Sequence, residues 1–296
     1  MPSEQIKVRP ARRKDGESIF TWTQNTFSWG DYISDVWYDW LKADEGRLLV
    51  AEVEGRVVGN LHVAFLGNRE GWMEGMRVHP DYRKLGVATA LDQAGQSVAR
   101  QARCRQVRLE TASDNLAAQA AIVTYGYHRL CHLQGYESSA LEGEILYMRE
   151  ARPRELGALF DLWTTSWMFG ALHGLTVLAS GWRWAELTRR RLRDYIAMER
   201  VWVTPVEGEP KGFAIVRRME ENLGVGLVVG RASAVRALVR DLRVLAHRSK
   251  LDKAHFVFPV SARASALAQT CGLTPREHTM FIYECPLQPG KSRRAA

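Results

Sequence analysis

The chain has 296 residues, enough for two ordinary domains, and its 25% charged and 46% hydrophobic residues are the balance of a soluble globular protein. The net charge of +8 is uneven: residues 1–150 hold 18 Lys and Arg against 20 Asp and Glu, and residues 151–296 hold 23 against 13, so the halves differ in electrostatics and are expected to differ in task. No run of eighteen apolar residues occurs and Met1–Gln5 has no apolar signal core. Cys104, Cys131, Cys271 and Cys285 form no CxxC pair. A membrane span, a secretory leader, a zinc site and a disulfide framework are therefore not expected, and a reducing cytoplasm is.

In chain order, a strand at Ile6–Arg9 leads into helices within 14–25 and 32–42. Strands Leu48–Val53 and Val57–Phe65 follow, joined by a turn at Glu54-Gly55. A strand at Gly71–Val78, a helix at Leu85–Arg103, a strand at Val107–Glu110, a helix after Asn115 and a strand from Tyr127 complete the first half. This is a mixed sheet flanked by helices, α/β in kind. The second half echoes it. Lys7-Val8-Arg9-Pro10-Ala11-Arg12 returns as Tyr147-Met148-Arg149-Glu150-Ala151-Arg152, each running into a helix, and Ala117–Gly126 returns as Arg263–Gly272. Matching starts and finishes predict two related domains in tandem, 1–144 and 145–288, with a basic tail at 289–296 expected to be disordered. The strand Ile145–Arg149 could close the first sheet or open the second.

The most informative stretch is Met76-Arg77-Val78-His79-Pro80-Asp81-Tyr82-Arg83-Lys84-Leu85-Gly86-Val87-Ala88. It reads as a strand end, a short basic loop and a helix start, with an apolar helix face at Leu85, Ala88, Leu91 and Val98. The first N–H groups of a helix lack intrahelical partners and the helix dipole favours an anion there. Small residues at Gly86 and Ala88 let a ligand approach the backbone. Such a loop suits a phosphate or pyrophosphate.

The segment Arg83-Lys84-Leu85-Gly86-Val87-Ala88 resembles the acetyl-coenzyme A loop of the GNAT family, the GCN5-related N-acetyltransferases: Arg or Gln, two residues, Gly, one residue, Gly or Ala. The lead-in Val78-His79-Pro80-Asp81-Tyr82 and the later order of strand, Asn115, helix and Tyr125-Gly126-Tyr127 are also the family's. The resemblance implies two GNAT-like domains, each a mixed, mostly antiparallel sheet flanked by helices. It implies acetyl-CoA as co-substrate, no metal, and direct transfer of acetyl to a primary amine of a small molecule, amino acid or protein N-terminus. It places Met76, Arg77 and Val78 on the coenzyme strand, the N–H groups of Lys84, Leu85, Gly86, Val87 and Ala88 at the pyrophosphate, charge at Arg83 and Lys84, and Asn115 on the pantetheine arm or as a helix cap. Glu74 is the candidate base, and strand alternation puts it on one face with Met76 and Val78. The family's usual proton-donating Tyr, four residues before the closing Gly, is replaced by Ile122; Tyr125, three residues on, or Tyr127 could substitute, and a thiolate could also leave without an acid. The acceptor is expected against the aromatic and acidic segment 26–40, at Trp29, Asp31 and Tyr32, where rings and carboxylates suit a cationic amine.

In the second half the loop is degenerate. Aligning Leu238 with Leu91 puts Ser233 in the place of Gly86 and Val235 in that of Ala88, in a loop one residue shorter, so no coenzyme is expected there. The helix that follows has an apolar stripe at Leu238, Leu242 and Leu245. A basic one, at Arg236, Arg240, Arg243, His247 and Lys250, could be solvated or could dock a partner. No interleaving of aromatic and basic residues marks a nucleic-acid surface, and oligomeric state is open. Two rival readings stand beside the enzyme: an acetyl-CoA sensor without turnover, and a tandem acetyltransferase like the mycothiol synthases, whose active copy is the second rather than the first.

Overall fold

The computed structural model describes residues 6–24, 26, 30–177, 182–219 and 221–287; the expected tail at 289–296 and Trp29 lie outside them. The chain forms two compact units. The first comprises residues 1–111, 115–129 and 283–296, and the second residues 112–114 and 130–282. The cut expected at 144/145 thus falls within the second unit, because the long strand after Tyr127 pairs mostly there. No helix among the described residues is long and apolar enough to cross a membrane.

The first unit runs β1 (Lys7–Pro10), α1 (Asp15–Thr23), α2 (Ile33–Lys42), β2 (Gly46–Val53), β3 (Arg56–Phe65), β4 (Glu70–Val78), α3 (Val87–Gln101), β5 (Gln106–Ala112) and α4 (Leu116–Thr124). Its strands lie in the order β1-β2-β3-β4-β5. Neighbours are antiparallel except β4 and β5, which are parallel. The β2–β3 turn has Glu54 at φ 49° and Gly55 at φ 79°, the left-handed pair that a tight hairpin needs. On one face α3 buries Val87, Leu91 and Ala99. Ile19 of α1 and Ile33, Trp37 and Trp40 of α2 form a core cluster with Leu48 and Val50.

The second unit takes β6 (His128–Ser139) from Leu130 on. It continues through β7 (Arg149–Glu150), α5 (Leu156–Thr164), α6 (Trp167–Ala171), β8 (Leu175–Val177), β9 (Trp184–Glu186), α7 (Arg189–Ala197), β10 (Val201–Val206), β11 (Glu209–Arg218), β12 (Asn222–Gly230), α8 (Ala232–Arg248), β13 (Lys253–Pro259), α9 (Ala262–Thr270) and β14 (Thr274–Pro286) as far as Ile282. Its strand order β7-β10-β11-β12-β13 repeats that of the first unit, with β12–β13 again the parallel pair. β7 pairs with β10, so the segment left open at 145–149 opens the second sheet. The N–H groups of Leu146, Tyr147 and Met148 all donate to Oδ2 of buried Asp241.

The echo at the two strand starts is a matched ion pair. Arg9 donates to both oxygens of Asp15, at 2.7 and 3.0 Å, while the Arg12 amide donates to Asp15 Oδ2. Arg149 does the same to Glu155, at 3.0 and 2.6 Å, joined by the Arg152 amide. Burial alone would raise the Asp15 carboxyl, but the Arg9 guanidinium and the Arg12 amide outweigh it and hold the group below the usual range. In Glu155 the Arg149 bond is the leading cause of the same downward shift.

The basic stripe of α8 proves structural in part. Its Arg240 and Arg243, with Arg248 beside the stripe, donate to the carbonyls of Glu144, Ser139 and Gly143 and so fasten the segment that leads from β6 to β7.

Candidate active site

The site of the first unit is built where β4 ends. Paired register places His62 opposite Glu74 but Asn60 opposite Arg77, so β4 carries one extra residue at Gly75–Met76, a β-bulge. Gly75 sits at φ +65°, and a Cβ there would lie 2.6 Å from Trp40 Cη2, so this position demands glycine. Buried Asn60 donates from Nδ2 to the Gly75 carbonyl at 2.6 Å and fixes the bulge. The bulge overturns the simple alternation expected from sequence: Glu74 now shares its face with Arg77, not with Met76 and Val78. On the other edge, the ladder to β5 runs from Glu70↔Gln106 to Trp72↔Arg108 and no further among the described residues, so the strands part beside Glu74.

Beyond Val78 the chain makes a 3₁₀ turn at Pro80–Tyr82, whose Asp81 amide donates to His79. Lys84 lies at φ 63° and Gly86 at φ 89°, both left-handed. The helix begins at Val87, two residues later than the sequence suggests. Leu85 is 57% exposed and belongs to the loop, and Val87 instead anchors the helix to the core. The first helical bond runs from the Ala90 amide to the Gly86 carbonyl, so the amides of Gly86, Val87, Ala88 and Thr89 all precede it. A Cβ on Gly86 would meet nothing nearer than Ile6 at 3.7 Å. The result is an open cradle of N–H groups at a helix N-terminus, with Arg83 and Lys84 exposed at its rim.

On the face made by Glu74 and Arg77, Glu74 Oε1 lies 2.8 Å from His62 Nδ1. His62 is 1% exposed and stacks on Trp40 with ring centroids 4.4 Å apart and planes 7° from parallel. Arg77 grips Asp31 with two bonds of 2.7 and 3.1 Å and stands 5.4 Å from the Tyr32 ring centre. Tyr32 also meets Trp40 edge-on. Burial raises the Tyr32 hydroxyl above its ordinary pKa, with the Arg77 charge opposing. Two expectations change here. The Arg77 guanidinium is turned to Asp31 rather than to the loop, and Asp31 is committed, since its Oδ1 also accepts from the Ile33 amide. Of the aromatics in 26–40, Trp37 and Trp40 are core.

At the start of α4, Asn115 is the cap: its Oδ1 accepts from the Ala118 amide at 3.2 Å. Ile122 is buried, and Tyr125 is half-buried at the helix end. The Tyr125 carbonyl accepts from Gln96 Nε2, which also donates to Asp92 Oδ2 at 2.8 Å. The Tyr127 hydroxyl donates to Asp92 Oδ1 at 3.1 Å. Burial pushes Asp92 up to about 6 and Tyr127 well above its ordinary value. Sequence reasoning passed over this network, and over His62 and Asn60. A signal existed: Asn60 and His62 alternate as polar residues in the apolar run of β3, where polar groups survive burial only with partners.

Residues 17–127 match the acetyltransferase (GNAT) family. The matched stretch lies within the first unit, apart from residues 112–114. An acetyltransferase of Sodalis glossinidius is 37% identical over 89 residues, 29% of this chain and 61% of the relative. One of Pectobacterium atrosepticum is 35% identical over 89 residues, 29% of this chain and 62% of its own. The match thus spans about three fifths of these curated relatives. Among solved structures, a GCN5-related N-acetyltransferase from Sphaerobacter thermophilus superimposes with TM-score 0.65 at 15% identity, covering 96% of both chains. A tandem GNAT protein from the clavulanic acid biosynthesis pathway does so with TM-score 0.58 at 12% identity, over 97% of this chain and 100% of its own. At such identities the likeness is one of fold, and it runs along almost the whole chain.

Proposed function

We propose that the first unit transfers an acetyl group from acetyl-CoA to a primary amine of a small molecule, an amino acid or a protein N-terminus. The observation that carries this reading is the open cradle at Arg83–Ala88, set at the end of the strand that bears Glu74. Bound acetyl-CoA supplies an acyl thioester. The amides of Lys84 to Ala88 hold the pyrophosphate, with Arg83 and Lys84 adding charge, and the parted backbone of β4 at Met76 and Val78 binds the pantetheine arm. Asn115 works as a cap and offers its remaining amide N–H to that arm. Glu74 takes a proton from the incoming ammonium, so that a neutral nitrogen can attack; His62 orients the carboxylate. The carbon–nitrogen bond forms as the carbon–sulfur bond breaks, and the thiolate departs, with Tyr125 the proton donor nearest the helix end. Tyr32 and the Asp31–Arg77 pair wall the amine's approach. The second unit serves support or partner choice without a coenzyme. Four free cysteines accord with a reducing cytoplasm.

One observation favours a sensor that binds acetyl-CoA without turnover: Ile122 is buried where the family usually has its proton-donating Tyr. Thiol release from acetyl-CoA by the full chain, measured against a panel of primary amines, separates the two. Amine-dependent release is expected. Stoichiometric binding with no release for any amine would leave the sensor.

A further inference from the structure

The second unit holds a pocket on the face of β11, β12, β13 and β6. Its floor is glycine, at Gly224 and Gly226 of β12 and Gly135 of β6, with Arg217 and Met219 lying over Gly224 and Val177 over Gly226. Val177, Trp182, Met219 and Met280 border it. The enclosed volume is about 20 Å³, room for one small polar group. Cross-strand register aligns Arg217, Gly224, His255 and Glu137 in one row. The Arg217 guanidinium lies 5.3 Å from the centre of the Trp182 ring. Arg276 stands over Gly135, its Cδ 3.2 Å from where a Cβ would be. Among the described residues no carboxylate lies within ion-pair distance of Arg276, although its charge is felt by Glu137.

His255 makes the site more than a gap. Its Nδ1 is buried and has no hydrogen-bond partner among the described residues, a costly state for a polar atom. Its Nε2 is 3.6 Å from Glu137 Oε2, and the other Glu137 oxygen is held by Lys253 at 2.7 Å. Burial, followed by the positive charge of Arg276, holds the imidazole below its ordinary pKa. A buried ring nitrogen without a partner, an unpaired guanidinium and a flat aromatic wall meet at one small opening.

We propose that this pocket binds the carboxylate of a small apolar acid. The head group accepts from Arg276 and from an N–H at His255 Nδ1, the tautomer that leaves Nε2 unprotonated, and the apolar remainder lies against Trp182, Met219 and Met280. A flat carboxylate suits the narrow floor better than a tetrahedral phosphate, and a guanidinium is its usual partner. The site is independent of the coenzyme reading of the first unit.

Calorimetric titration of the full chain with benzoate, acetate and inorganic phosphate at fixed ionic strength tests it. Benzoate should bind one site per chain, acetate more weakly, and phosphate no better than acetate. Arg276→Ala should weaken benzoate at least tenfold while acetyl-CoA titration is unchanged. Arg276 is exposed, so the variant should keep its fold, and unchanged far-ultraviolet dichroism would check that. Absence of benzoate binding at millimolar concentration, phosphate binding tighter than benzoate, or full benzoate affinity in Arg276→Ala would each overturn the proposal.

Discussion

The two units share a strand order, a parallel pair at the same place and an Arg–carboxylate knot at the start, yet they part at one link. In the first, residues 79–86 join β4 to α3; in the second, Arg231 alone joins β12 to α8. The shortening is larger than the single residue expected from sequence, because β12 runs on to Gly230 and the helix starts at once. The core and the open cradle of N–H groups are therefore separable. Apolar periodicity builds the sheet and its covering helix in both units, while the proposed anion binding rests on a short insertion that the frame can lose without unravelling.

The sharpest way to break this comparison is to attack the cradle and its counterpart together. Gly86→Val forces a β-branched residue to φ +89° and fills the open space before α3, so acetyl-CoA binding should be lost, by at least ~100-fold given strain and blocked approach. Ser233→Val at the corresponding place should change nothing. Calorimetry should give one acetyl-CoA per chain; two would mean that the second unit binds as well.

Next in size is the base. Glu74→Gln should lower turnover by about 10²–10⁴ with acetyl-CoA affinity little changed. The deficit should narrow as pH approaches the alkylammonium range near ~10, where the amine loses its proton unaided. Full activity at neutral pH would remove Glu74 from the mechanism.

The shared knots offer a test of likeness rather than difference. Asp15→Ala and Glu155→Ala each leave an arginine without its main partner, at a cost of about 3 kcal/mol. The loss should be the smaller at Glu155, because Arg149 is 29% exposed and Arg9 12%. Urea unfolding would measure both, and a negligible loss at either would break the equivalence.

The smallest effect concerns Asp92, which the second unit matches with Val239 if Leu91 and Leu238 correspond. Its folded pKa, about 6, lies above the unfolded value of 3.8. Below the unfolded value both states hold the proton. Between there and about 6 only the folded state does, so stability should fall as pH rises, by at most about 3 kcal/mol, and then level off. Asp92→Asn should flatten that fall between pH 4 and 7 in denaturant titrations. An unaltered slope would assign it to other groups.

Much of this was legible in the residues. Local signals are strong where a few neighbours decide the backbone: Glu54-Gly55 for the hairpin, Asn115 for the cap, and Arg83 to Ala88 for the cradle. Helix edges slip because Gly86, being left-handed, hands the first helical place to Val87. The bulge was hidden, since an extra residue in a strand leaves no periodic mark, and with it went the faces of Glu74, Arg77, Met76 and Val78. Pairings across the chain were hidden too: nothing near Asp31 in sequence announces Arg77, and nothing near Glu74 announces His62.

One such pairing has a bearing on how the protein is made. Arg108, 3% exposed, binds both Glu70 and Glu284, the latter at 2.7 Å, and the Leu287 amide donates to the Arg105 carbonyl. Residues 283–287, at the end of β14, are thus a piece of the first unit. On the ribosome, Leu130–Ile282 must be translated before that piece exists, a delay of roughly 8–30 s at 5–20 residues per second. Until then Arg108 is a buried cation short of a partner. The first unit, although most of it is synthesised first, matures last, and a premature stop anywhere before Glu284 should cost the proposed acetyl transfer even when every residue of the cradle has been made.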